Sequence, residues 1–206
     1  MSTKPPTYVL DHPEIRDSVT RLCEGFPVEY WRKSDREHDY PREFVDALTQ
    51  AGFLSELIPE EFDGSGLPLS AGAAILEEVH RSGGNAGACH AQMYTMGTLL
   101  RHGSQSQKQQ YLPAIAHGEL RLQAFGVTEP TSGTDTTALR TTARREGDHY
   151  VVNGQKIWTS GAHYSDYGVL VLRTGPNYPK HQGLSYFFLD MKSPGIEIKP
   201  IKQISG

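Results

Sequence analysis

Apolar positions recur every three or four residues along the first half of the chain and shift to a period of two over parts of the second half. Ile15, Val19 and Leu22 share one helical face between Asp11, a cap candidate, and Gly25, a stop signal. Phe44, Val45 and Leu48 make a second such face, with Pro41 at its first helical position and Gly52 at its exit. A third helix is predicted from Ser70 to the Ser82-Gly83-Gly84 break. The fourth and most apolar spans residues 85–102 and places Cys89, Met93, Met96 and Leu100 at helical spacing. Ser104 with Gln107 three residues later is a capping-box pattern for a short fifth helix, which Pro113 ends or kinks.

After Gly118, β-branched and aromatic residues gather in short alternating runs. Residues 140–144 read as a half-buried strand. Asn153-Gly154 is a hairpin dipeptide, so residues 150–152 are predicted to pair antiparallel with 155–159. Residues 168–173, 184–190 and 196–201 supply three further strands. The pattern predicts an α+β chain, with an N-terminal all-α helical bundle over residues 1–120 and an antiparallel β domain over residues 121–206 that forms an incomplete barrel.

Charge and composition narrow the partners. The formal net charge is −4, so no overall positive field draws in nucleic acid or anionic lipid. No window approaches the roughly 18–20 apolar residues of a membrane span, and residues 1–6 carry no targeting pattern. A cytoplasmic protein with no membrane and no nucleic-acid partner is expected. Cys23 and Cys89 are the only cysteines and read as reduced, buried thiols. The nine histidines show no ligand spacing within one element, so no metal site is predicted. Gly-rich dinucleotide and P-loop fingerprints are absent.

Two clusters carry candidate chemistry. Phe125-Gly126-Val127-Thr128-Glu129-Pro130-Thr131-Ser132-Gly133-Thr134-Asp135 lies where helices give way to strands. Gly126 and Gly133 would let the backbone approach a flat or anionic ligand, and Thr128, Ser132 and Thr134 offer hydroxyls. The same composition also suits a turn-rich connector. In Asn153-Gly154-Gln155-Lys156-Ile157-Trp158-Thr159-Ser160-Gly161-Ala162, an indole beside small hydroxyl residues fits one wall of an aromatic cofactor pocket, or a core tryptophan. Met93, Met96 and Leu99 or Leu100 suit either a helix-bundle core or the border of an apolar tunnel.

The order and separation of the two clusters resemble the middle domain of the acyl-CoA dehydrogenase family. Gly183-Leu184-Ser185-Tyr186-Phe187-Phe188-Leu189 continues the likeness, and the helical half joins it through residues 52–53, 58–67, 103–104 and 109–113. The resemblance implies FAD as cofactor, an acyl-CoA as substrate and α,β-dehydrogenation of the thioester as the reaction. It implies a cofactor-binding set of Phe125, Val127, Thr128, Gly133, Thr134, Trp158, Thr159 and Ser160. Within that set Thr128 meets the flavin pyrimidine, Thr134 the pyrophosphate, Trp158 the isoalloxazine and Ser160 its N5 edge, while Thr134 also touches the substrate. In the family the glutamate base lies in or beside a C-terminal helical domain, so no catalytic residue is expected within residues 1–206. Glu129 is a possible substitute base or a structural member of its loop. The resemblance further implies a homo-oligomer, or a partner chain supplying the helical domain; the alternative is a non-catalytic remnant that binds flavin or a partner. An uncovered, association-prone strand edge is expected at Ile204-Ser205-Gly206.

Overall fold

The computed structural model describes residues 11–175 and 180–202. Among these residues six α-helices are followed by five strands. The helices are α1 Pro13–Glu24, α2 Val28–Glu37, α3 Arg42–Gln50, α4 Leu69–Arg81, α5 Gly87–His102 and α6 Gln105–Ala116. The strands are β1 Leu122–Gly126, β2 Thr142–Glu146, β3 His149–Asn153, β4 Tyr167–Arg173 and β5 Leu184–Asp190.

Helix boundaries follow local chemistry, with some changes from expectation. The capping box of α6 forms in full: Ser104 Oγ accepts from the Gln107 amide, and Gln107 Oε1 accepts from the Ser104 amide. Pro113 sits inside α6, which continues to Ala116. Asp11 is not the cap of α1. His12 takes that place in a left-handed conformation, with Pro13 fixing the first turn. Pro41 and Pro68 likewise cap α3 and α4 from just outside, so Ser70 lies within the first turn of α4. Helix α2 has no sequence prediction behind it. Its residues are mostly charged and none is buried. It is anchored by Tyr30 and Trp31, which pack edge-on against Phe26 and Phe44.

The sheet is mixed and open, which corrects the expected antiparallel arrangement. Central strand β4 pairs antiparallel with β5 along its whole length, from Tyr167 opposite Asp190 to Arg173 opposite Leu184. Strand β1 pairs parallel with β4, and β2 meets it, also parallel, through Thr142 and Arg173. Period-two patterning marks a strand but carries no information on the direction of its partner.

The expected hairpin at Asn153-Gly154 is displaced. Strand β3 pairs instead with the preceding β2, with Glu146 opposite His149 across Gly147-Asp148. Gly147 has φ 66, as the first central residue of a II′ turn requires. Residues 155–159 are not a strand, and neither are residues 196–201. The edge expected at Ile204-Ser205-Gly206 lies outside the described residues.

Two buried clusters form the interior, and α5 contributes to both. Cys89 and Met93 join Val19, Phe44, Leu48 and Ile75 in the helical cluster. Met96 and Leu99 join Ile58, Leu112, Ile115, Leu122 and Val169 in the cluster beneath the sheet. These methionines are therefore core residues. The Thr95 hydroxyl bonds the Leu122 carbonyl, tying α5 to β1. Arg121 adds a further tie through Asp46 (2.8 Å) and Thr49 (2.9 Å) of α3. Tyr40 donates to the buried Gln123 side chain at 2.9 Å. Among the described residues no helix is long and apolar enough to cross a membrane.

Candidate functional site

Two loops meet at the end of β1. The first follows directly from that strand. Gly126 is needed for packing against the protein itself, because a Cβ there would come within 2.6 Å of Leu170 and 3.4 Å of Lys156. Glu129 and Ser132 then exchange backbone hydrogen bonds of 2.9 and 3.1 Å around Pro130-Thr131. The Ser132 hydroxyl turns inward and donates to the Asp135 carbonyl. The Asp135 carboxylate caps a short turn, Thr136–Ala138, by accepting from the Thr137 amide. Gly133 and Thr134 stay exposed, and a Cβ on Gly133 would meet nothing within 4 Å. The backbone here is open to solvent, as an anion-accepting loop requires.

The second loop leaves β3 at Asn153. Gly154, at φ 149, passes so close to Thr141 that a Cβ would lie 2.5 Å from its Oγ1. The chain then runs alongside the first loop. The Ile157 amide donates to the Thr128 carbonyl at 2.9 Å. Lys156 turns inward and donates to the Val127 carbonyl at 3.0 Å and to Glu129 Oε1 at 2.8 Å. Trp158 follows with φ 61, a left-handed conformation that is an outlier for a bulky residue. The residue is 62% exposed, which sets aside the core-tryptophan reading. Ser160 is exposed beside it. The Thr159 hydroxyl is buried and finds no hydrogen-bond partner among the described residues. Gly161, at φ 76, rests over the Gln123 carbonyl.

The structure thus brings Val127 and Thr128 against the segment that carries Trp158, Thr159 and Ser160. Gly133 and Thr134 project beyond the Glu129–Ser132 turn. Phe125 has a packing role, since it meets Tyr94 of α5 edge-on with ring centroids 5.4 Å apart.

Glu129 is the centre of the site's electrostatics. Burial by itself would raise its carboxyl, but hydrogen bonds from Lys156, Thr141 and the Arg140 amide outweigh that and hold it down to about 2. Both oxygens are engaged and the group is firmly ionised, so it is unsuited to act as a general base. The Lys156 ammonium is pulled down by burial and partly restored by Glu129. Sequence reasoning missed this pair because the two residues lie in separate motifs, and nothing in either motif points to the other.

Residues 10–119 match the acyl-CoA dehydrogenase N-terminal domain, and residues 124–206 match the middle domain of the same family. Acyl-CoA dehydrogenase FadE29 of Mycobacterium tuberculosis is 44% identical over 175 residues, which cover 84% of this chain and 44% of FadE29. Among solved structures, the Tcur3481-Tcur3483 steroid ACAD superposes with a TM-score of 0.83 at 34% identity, over 96% of this chain and 53% of that one. The ChsE4-ChsE5 complex from Mycobacterium tuberculosis gives 0.80 at 30% identity, over 98% and 52%. The chain spans about half the length of the relatives it matches. With matched domains covering both the helices and the sheet, the chain belongs to the acyl-CoA dehydrogenase family.

Proposed function

We propose that this chain forms the FAD-binding part of an acyl-CoA dehydrogenase, an oxidoreductase that introduces an α,β double bond into an acyl-CoA thioester. The observation that carries the reading is Trp158, a large indole left in solvent on a backbone conformation that disfavours it. An exposed aromatic adds little to the fold, and left-handed strain costs it about 1–3 kcal/mol. Such strain at a surface is characteristic of a ligand clamp.

The residues present fit a flavin. Trp158 would pack on the isoalloxazine, Thr128 and the orphaned Thr159 hydroxyl would meet its polar edges, and Ser160 would donate near N5. The open backbone at Gly133-Thr134 would receive the pyrophosphate, with the Thr134 hydroxyl also reaching the substrate. Phe125 and Val127 would support this face from β1 and the start of the loop. A bound flavin would supply hydride-acceptor chemistry at this face. A donor fixed near N5 favours the charge that develops there. The carboxylate that removes the α-proton is assigned to another segment of the protein or to a partner chain, because Glu129 is committed to Lys156 and two amides. Assembly with a second copy or a related chain is part of the proposal. It is supported by similar solved structures that pair two named components, the ChsE4-ChsE5 complex and the Tcur3481-Tcur3483 steroid ACAD.

The test is FAD retained per chain after gel filtration. Retention is expected to fall in Trp158→Ala and Thr128→Ala and to persist in Trp31→Phe and Thr49→Ser. Equal retention in all four variants, or none in the parent, would overturn the assignment.

A further inference from the structure

We infer that Glu129 and Lys156 are positioning residues, a buried clamp that holds the two loops as one surface and so sets the affinity of the face that Thr128 and Trp158 present. The inference rests on the flavin reading above and adds two residues that touch no ligand in it. Both side chains are nearly inaccessible, at 8% for Lys156 and 4% for Glu129. The two are separated by 27 positions in sequence, so their contact is a tertiary cross-link between the loops.

Each member binds both its partner and the backbone. Lys156 Nζ reaches Glu129 Oε1 and the Val127 carbonyl, so it grips the first loop at two points. Glu129 accepts from the Arg140 and Thr141 amides at 2.7 and 2.9 Å, which fixes the far end of that loop to the approach to β2. One residue beyond Lys156, the Ile157 amide bonds Thr128. The next residue is Trp158 in its left-handed conformation. The clamp therefore adjoins both residues that would face the ring, Thr128 next to Glu129 and Trp158 two residues past Lys156, and it supplies the surrounding restraint that a strained residue needs in order to persist. A charge-assisted bond in a buried setting suits this task, because neither partner has water to exchange with when the other is absent.

Four variants of the 206-residue chain test the clamp: Lys156→Met, Glu129→Gln, the double variant, and Arg16→Met. The last breaks another buried pair, Arg16 with Glu78, that shares no residue with either loop. Two readouts are needed. Amide exchange at Ile157 reports loop apposition without any flavin, and FAD affinity by fluorescence quenching reports its consequence. In both single variants Ile157 should exchange faster and FAD affinity should fall about tenfold, since ordering once held in advance is now required on binding. The double variant should be no worse than Lys156→Met, as expected of one coupled unit. Arg16→Met should lower the melting temperature and leave both readouts unchanged. Protection at Ile157 that survives Lys156→Met would refute the clamp. So would faster exchange with unaltered FAD affinity, or equal effects from Arg16→Met. A parent that binds no FAD refutes the flavin reading instead, and the exchange data then judge the apposition of the loops separately.

Discussion

Glu56 and Glu129 show how one residue type takes opposite states in one fold. Glu56 is 2% exposed, and neither carboxylate oxygen finds a hydrogen-bond partner among the described residues. Gly72 of α4 lies so near that a Cβ there would sit 3.1 Å from Oε1. Burial pushes the Glu56 carboxyl up to about 8. The folded chain thus keeps this proton to higher pH than the unfolded chain does. Its contribution to stability is fully present below the ordinary carboxylate range and is lost as pH rises to about 8, at roughly 1.4 kcal/mol per unit. Glu129 is depressed, so its contribution is present above the ordinary range and lost as pH falls toward about 2. Urea denaturation at pH 5 and pH 8 should find the parent weaker at pH 8. Glu56→Met should remove much of that difference and add about 1–3 kcal/mol at pH 8, the usual cost of a buried unsatisfied polar group. Parallel pH profiles for the two proteins would contradict this.

At the scale of elements, what could be read from the sequence was what local chemistry decides. The capping box of α6, the apolar faces of α1, α3 and α5, and the existence of α4, β4 and β5 follow from spacing and turn signals. Helix α2 was hidden because its charged residues mask the Tyr30 and Trp31 anchors, whose partners Phe26 and Phe44 lie outside the helix itself. The misplaced hairpin has a different cause. Asn153-Gly154 satisfies the rule for a tight turn, yet Glu146-Gly147-Asp148-His149 also permits one, and tertiary packing decides between them. Gly154 serves instead as a point of close passage against Thr141. Its replacement by alanine combines an unfavourable φ of 149 with a backbone clash, and should cost about 1–3 kcal/mol. Gly133→Ala, at an open position, should change stability by less than about 0.5 kcal/mol. Equal losses at the two sites would refute the packing argument.

Over the whole molecule, α5 is the shared wall of the helical interior and of the interior beneath the sheet. Arg121 and the Tyr40–Gln123 bond reinforce the junction. Loss of α5 would strip the interior beneath the sheet, so thermal unfolding should be one cooperative transition, with calorimetric and van't Hoff enthalpies in agreement. Two resolved transitions would show that the junction is weaker than its contacts imply. The division into a helical and a strand-forming half was legible in the change of period near residue 118. The open, mixed sheet was not, because strand direction depends on how residues 127–166 cross over rather than on any one strand. The flavin-loop motifs could be read as strings, but the buried pair joining them could not, since no local pattern tells a clamped lysine from a solvated one.

Trp158 also bears on how this protein would respond to selection. Asparagine tolerates the left-handed conformation far better than tryptophan, so Trp158→Asn should raise the unfolding free energy of the ligand-free chain by about 1 kcal/mol while abolishing flavin retention. A library screened only for heat resistance would therefore discard this side chain early. Thermal endurance and cofactor capture draw the same position in opposite directions, and only a screen that includes the flavin would keep the tryptophan.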